Sequence, residues 1–148
     1  MSDTPAPLRL IAEDAEDLAV LSAALQDAVC KIGDIRFEAA SRRLTIGLNR
    51  FRWEAGGKQG AKSAERVRSG LQLGSVLQVQ SRRLRRDARE AVLALLGLTF
   101  APGEAPGGTI VLTFAGDGEL RVEVECIDAA LADVSAPWPT PRRPSHED

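Results

Sequence analysis

A chain of 148 residues with 44% apolar and 27% charged side chains has the size and balance of one soluble globular domain, large enough to bury about 70% of its unfolded surface. Its longest apolar run, residues 91–98, is far short of a membrane span, MSDTPAP at the start lacks the basic and apolar regions of a secretory signal, and two cysteines are too few for a disulfide scaffold. The net charge of −2 hides an asymmetry: residues 1–35 carry two Lys/Arg and seven Asp/Glu, residues 36–89 carry 14 and four, and residues 90–134 carry one and eight. Such blocks make either a bipolar surface or pairs that neutralise each other across the fold.

In chain order, residues 8–11 (Leu-Arg-Leu-Ile) read as a short strand. Asp14 offers an N-cap, with Glu16 and Asp17 in the first turn where the helix dipole favours them. Leu18, Leu21, Leu25 and Ala28–Val29 recur at three- and four-residue spacing, which predicts an amphipathic helix over 15–30. Ile35, Phe37 and Ala39 alternate, as do Leu44, Ile46 and Leu48. The shift in phase between the two runs predicts a hairpin with a four-residue loop, 40–43, and Phe37 opposite Ile46. A two-residue loop at Arg42–Arg43 would also satisfy the phase, but arginine is a poor fit to the positive φ angles of such a turn. Beyond Leu48 the apolar positions become Phe51 and Trp53, so a bulge near Asn49–Arg50 is expected to restore the inward face.

Residues 55–64 hold three glycines and no large apolar side chain, the pattern of a flexible loop. Val67, Leu71, Leu73, Leu77 and Val79 share odd positions, giving one bent strand or two strands parted near Gly74. Residues 84–91 are ambiguous, with a short helix as one reading. Residues 93–100 read as a buried strand and 101–108, rich in Pro and Gly, as a turn. Residues 109–127 form the clearest pattern of all, two alternating runs around Gly116-Asp117-Gly118. Phe114 and Leu120 are expected to pair across a three-residue loop with Gly118 in the left-handed region. Residues 128–134 predict two helical turns with Ile127, Leu131 and Val134 on one side. Residues 1–136 are expected to be a single domain, and 137–148, with four prolines, a flexible tail.

The stretches LRLIAEDAEDLAVLSAALQDAV (8–29), LNRFRWE (48–54), FAPGEAPGGTIVLTF (100–114) and ELRVEVECIDAAL (119–131) resemble a family of small uncharacterised bacterial proteins, a domain of unknown function. The resemblance implies a compact single domain and brings no activity, cofactor or catalytic residue with it.

The residues themselves argue against several chemistries. The only histidine, His146, falls in the expected tail, which removes the commonest general base and metal ligand from the folded part. A Ser-His or Cys-His nucleophile pair, a zinc site and a phosphate-binding Walker loop all lack their residues, so no catalytic residue, cofactor or metal is expected. Cys30 and Cys126 read as reduced, buried thiols, and a cytoplasmic home follows. Glu13, Asp14, Glu16 and Asp17 read as helix capping, and Glu119, Glu123 and Glu125 as a solvated strand face rather than a cation site. The suggestive constellation is Arg50, Phe51, Arg52 and Trp53 with Arg66, Arg68, Arg82, Arg83, Arg85, Arg86 and Arg89. Arginines neutralise phosphates or meet acidic proteins, and an exposed aromatic stacks on a base.

The expected fold is α+β: a mostly antiparallel curved sheet of seven or eight strands with one long N-terminal helix and a short C-terminal helix, an order compatible with a pleckstrin-homology-like barrel. The leading functional expectation is a non-catalytic, cytoplasmic protein-interaction module with no membrane role. Its candidate contact residues are Arg50, Arg52, Arg66, Arg68, Arg82, Arg83, Arg85 and Arg86, and its partner is another protein or a second copy. The alternative is a nucleic-acid-binding accessory protein using the basic block 36–89. An enzyme built only from Asp, Glu and Arg is the third reading.

Overall fold

The structure, a computed structural model, describes residues 7–52, 65–136 and 138–139. In chain order these form β1 (Arg9–Ala12), α1 (Ala15–Ala24), β2 (Val29–Lys31), a 3₁₀ turn (Ile32–Asp34), β3 (Ile35–Glu38), β4 (Arg43–Phe51), β5 (Glu65–Leu73) and β6 (Val76–Arg82). There follow β7 (Val92–Pro102), β8 (Gly108–Phe114), β9 (Glu119–Val124), β10 (Ala129–Asp133) and β11 (Trp138–Pro139). Every ladder is antiparallel. The strands join in the order β1-β10-β5-β4-β2-β7-β8-β9-β6, with β3 beside β4 and β11 beside β5. The mostly antiparallel α+β expectation is met, but with 11 strands among the described residues instead of seven or eight. The path is open, with β1 and β6 at its ends, and residues 128–134 hold a strand and no helix. The many strands are present, but the short closing helix that made their order compatible with a pleckstrin-homology-like barrel is replaced by β10.

One apolar core runs under the whole sheet. Leu44, Ile46 and Leu48 of β4 meet Leu71 and Leu73 of β5, while Ile110, Leu112 and Phe114 of β8 meet Leu120, Val122 and Val124 of β9. Leu18, Leu21 and Leu25 of the helical segment enter the same cluster. Each such side chain, fully buried, contributes about 1.5–3 kcal/mol. α1 starts as the sequence predicts: Asp14 is extended and its carboxylate accepts the Asp17 N–H at 2.8 Å, a cap worth about 0.5–2 kcal/mol.

The helix ends earlier than expected, at Ala24. Asp27 turns the chain with φ 65°, and Val29, Cys30 and Lys31 pair with Ala94, Leu93 and Val92 of β7. The spacing of Leu25, Ala28 and Val29 suits a helix face. The β-branched Val29 and a waiting strand partner decide otherwise, since tertiary pairing overrides a weak local preference. Ser22 of α1 accepts the Leu98 N–H at 2.9 Å, just beyond the β7 irregularity at Leu95/Gly97.

The β3–β4 hairpin has a four-residue loop, but its register differs from expectation. Ile35 pairs with Ile46 and Phe37 with Leu44, so the loop is 39–42 and not 40–43. Arg42 does adopt a positive φ, 57°, and its carbonyl accepts the Val76 N–H at 2.9 Å. The expected bulge at Asn49–Arg50 is absent. β4 and β5 pair without a slip from Leu44↔Leu73 to Phe51↔Arg66. The inward face simply continues through a charged residue, Arg50, and Phe51 is buried on the other face. The glycine-rich segment 55–64 and Trp53 lie outside the described residues.

Gly74 and Ser75 part β5 from β6, the second of the two sequence readings. A register shift between Val76 and Gln78 leaves Leu77 exposed, where strict alternation would have turned it inward. Residues 84–91 are turns, without the short helix. The β8–β9 loop has three residues, 115–117, closed by Phe114 N–H to Gly118 O at 2.8 Å. Leu112, not Phe114, faces Leu120. Gly116 (φ 87°) and Asp117 (φ 73°) carry the left-handed angles, so the expectation for Gly118 is overturned. Gly118 instead gives Leu84 its place, because a Cβ there would lie 2.4 Å from Leu84 Cδ2 and the leucine would have to turn aside. In place of the C-terminal helix, β10 inserts between β1 and β5, its apolar Ala129 and Leu131 alternating inward. Trp138 and Pro139, expected in a loose tail, pair with Arg66 and Glu65.

Candidate functional site

The structure divides the eight candidate arginines into two groups. Arg50 projects from the inward face of β4 and is fully buried. Its Nε and Nη2 donate to the two Asp133 carboxylate oxygens, both at 2.9 Å, and its Nη1 donates to the Phe51 carbonyl at 2.9 Å. Asp133 on β10 also accepts the Ser69 hydroxyl of β5 at 2.7 Å and the Leu8 N–H at 2.8 Å. Burial pushes the Asp133 carboxyl up, but the hydrogen bonds from Arg50, Leu8 and Ser69 outweigh it and hold it below the usual range. This cluster ties the chain at β1 to β10, β5 and β4. Arg52 is buried and paired with Glu65. Arg66 lies 4.1 Å over the Phe51 ring, and Arg68 reaches Asp34 at 3.1 Å and Asn49 Oδ1 at 3.3 Å.

Arg50 and Arg52 are thus internal, and the first four candidates fasten strands together. Asp133, which the fastening depends on, was not singled out by sequence reasoning because its segment reads as a helix. The available signal was an arginine at an inward position of β4, which demands a buried acid.

Arg82, Arg83, Arg85 and Arg86 lie in the open, at the end of β6 and the turn after it. Their acidic neighbours are distant or solvated: Glu119 is 4.0 Å from Arg82, Asp117 is 3.7 Å from Arg83 and Asp87 is 4.0 Å from Arg85. Such exposed pairs contribute about 0–1 kcal/mol. Arg86 has no ion-pair partner among the described residues. The basic block therefore does not make one surface.

These exposed arginines border an opening in the sheet. Among the described residues β3 pairs only with β4, and β6 only with β9, so each has one edge free of them. Side chains from both strands line one cavity of about 160 Å³: Ile35 and Phe37 from β3, Val79 and Ser81 from β6. Ile32, Leu44, Leu84 and Leu120 complete its apolar wall, and Arg86 and Arg89 stand at its rim. The cavity adjoins a polar recess formed by Gln80, Arg82, Arg86 and Arg121. One end of the opening is closed by the bond from Val76 N–H to Arg42 O and by the Arg42–Glu125 ion pair. The other is closed by Gly33 N–H to Arg89 O at 2.8 Å and Ile32 N–H to Ala91 O at 3.0 Å. The result is a window framed by two strand edges.

The remaining reactive groups are engaged structurally. Burial, reinforced by nearby Asp34 and partly offset by Arg68, pushes the Cys30 thiol up to about 11, away from the thiolate a nucleophile needs. Cys126 is also free, with Sγ 3.8 Å from Ser75 Oγ. It lies past the end of β9, not on its apolar face. Asp14 and Asp17 act in the helix cap. Glu119 accepts Arg121 at 3.4 Å, and Glu125 pairs with Arg42. Among the described residues no group of three or more His, Cys, Asp and Glu converges as a metal site, and no helix is long and apolar enough to cross a membrane.

The fold and the window define an antiparallel-sheet protein with one α-helix among the described residues and a small apolar opening rimmed by arginine. The chain belongs to the family described as protein of unknown function DUF2948, whose pattern it matches over residues 8–146. No curated protein and no solved structure matches it.

Proposed function

We propose that the chain is a non-catalytic, cytoplasmic protein-binding module whose contact site is the window between β3 and β6. The observation that carries this reading is the pair of free strand edges lining one apolar cavity. An exposed strand edge offers unpaired N–H and C=O groups, and a neighbouring apolar cavity offers side-chain burial. The cavity is smaller than the roughly 300 Å³ at which small-molecule sites begin, so it suits one or two side chains of a larger partner. The two free thiols support the cytoplasmic assignment. A nucleic-acid role loses Arg50 and Arg52, which are buried, and keeps the exposed Arg36, Arg42 and Arg43 with the arginines of the loop after β6.

The test is photocrosslinking in the native cell from a photoreactive residue placed at Gln80 or Arg36, with Thr99 as a control far from the window. The expected outcome is discrete protein adducts from the window positions, unaffected by nuclease and absent from the control. Adducts that vanish with nuclease would move the assignment to nucleic acid. Adducts with a second copy would make the partner this chain itself.

A further inference from the structure

The protein-binding reading can be taken to the chemistry of the partner, and the inference rests on that reading. We propose that the window receives a short extended segment in which acidic residues alternate with apolar ones, added as a strand to the free edge of β6.

The backbone sets the first requirement. Among the described residues the outer edge of β3 receives a long bond from the Ser41 hydroxyl to the Glu38 carbonyl, 3.5 Å, and no ladder bond over Ile35–Phe37, and the outer edge of β6 receives no ladder bond beyond its bulge at Leu77. The bulge blunts the start of β6, as natural edges do. Residues 78–82 remain regular and correctly spaced for pairing. A guest strand would rise about 3.3–3.4 Å per residue, so about four residues match the length of β3.

Side-chain alternation sets the second. Val79 and Ser81 point into the cavity, while Gln78, Gln80 and Arg82 point out. A strand laid beside β6 keeps the same period, so every second residue of the guest enters the cavity with Phe37, Leu84 and Leu120. The small volume and apolar wall select Val, Ile or a similar group there.

Charge sets the third. The residues between face the recess of Arg82, Arg86 and Arg121, with Arg89 at the cavity beside it; the acids on that side are Glu119, next to Arg82 and Arg121, and Glu123, opposite Gln78. Phosphate of nucleic acid would satisfy the cations but leave the apolar cavity and both strand edges unused. A peptide strand uses all three features at once. Acidic side chains complement the rim and set specificity and association rate.

The experiment presents the full-length protein to a randomised octapeptide library and then titrates the enriched peptide. The expected enrichment is Asp or Glu alternating with Val or Ile, lost on R86E/R89E. Methylating alternate backbone nitrogens of the enriched peptide should weaken binding about tenfold or more, the equivalent of one lost hydrogen bond. Amide signals of Ile35–Glu38 and of residues 78–82 should shift on binding. Enrichment of basic or proline-rich peptides, no enrichment, or equal binding of the methylated peptide would overturn the inference. In each of those cases the crosslinks from Gln80 report separately on the protein-binding reading. Nuclease-resistant adducts would leave it standing while the strand inference falls.

Discussion

Arg50 and Arg86 share a basic stretch of sequence and a side chain, and the fold gives them opposite work. Arg50 is buried and fully engaged with Asp133 and the Phe51 carbonyl. Arg86 is exposed at the rim of an apolar window. The difference is one of strand phase. Arg50 occupies an inward position of a strand paired on both sides, so it must find an acid within reach. Arg86 follows the last strand of the sheet path, where nothing packs over it. A count of charges in the sequence treats the two alike. Desolvation separates them, because a buried guanidinium is tolerated only with its hydrogen bonds satisfied, whereas an exposed one is held by water.

The largest expected effect breaks the internal half of this comparison. Arg50→Ala or Asp133→Ala strands a buried charge, and each should cost about 3–5 kcal/mol. Domain stability is typically about 5–15 kcal/mol, so either variant should show a much lower urea midpoint or fail to fold. Arg50→Met combined with Asp133→Leu should recover most of the loss, because the buried charges are gone and the volume stays filled. A double variant no better than the singles would mean that the hydrogen bonds to Leu8 and Ser69, and not the ion pair, hold this corner.

Acid should expose the same pair more gently. Asp133 has a folded pKa below its unfolded value, which lies at about 3.9. Its contribution is therefore complete above that value and is lost as pH falls through the depressed folded pKa. Urea midpoints between about pH 5 and pH 2 should fall more steeply in the wild type than in Asp133→Asn. Parallel slopes would show that other carboxylates govern the acid limb.

How far the comparison was legible in the sequence differs by element. The β8 and β9 strands follow from local pattern alone, because each has one wet and one dry face, and the Asp14 cap follows from a short carboxylate ahead of an acidic first turn. Segments with two plausible periods misled. Val29–Lys31 and Ala129–Asp133 carry apolar spacing that suits either helix or strand, and only distant partners in β7 and β5 settle them. The hidden role of Arg50 follows from the second error, since its acid lies in β10. The window was not legible, because it arises where two edges far apart in sequence meet. Its arginines were.

A smaller effect sharpens the link between the exposed loop and the body. Leu84 roots that loop against Gly118, where an added Cβ would approach Leu84 Cδ2 to 2.4 Å. Gly118→Ala should turn the Leu84 side chain aside at a cost of about 1 kcal/mol or less, since the atom approached is the tip of a half-buried side chain. Because Leu84 also lines the window, amide signals at Val79 and Ile35 should move, while those around Asp133 stay in place. Shifts near Asp133 would show that the two regions are coupled.

The smallest expected effect is on the stability of the exposed group itself. Arg82, Arg83 and Arg85 are themselves solvated and have acidic neighbours at 3.7–4.0 Å, and Arg86 has none among the described residues. Exposed pairs contribute about 0–1 kcal/mol, and surface substitutions away from special features about 0.5 kcal/mol or less. Changing all four to Ala should therefore leave the urea midpoint near that of the wild type, even though four charges are removed against one in Arg50→Ala. Salt should act the same way, screening the exposed pairs and sparing Arg50–Asp133. If the fourfold variant instead lost more than about 2 kcal/mol, beyond what such pairs supply, the loop would be a structural strap across the window. The arginines would then be spent on holding β6 in place, and the division between fastening and contact residues would fail at the point where the binding proposal needs it.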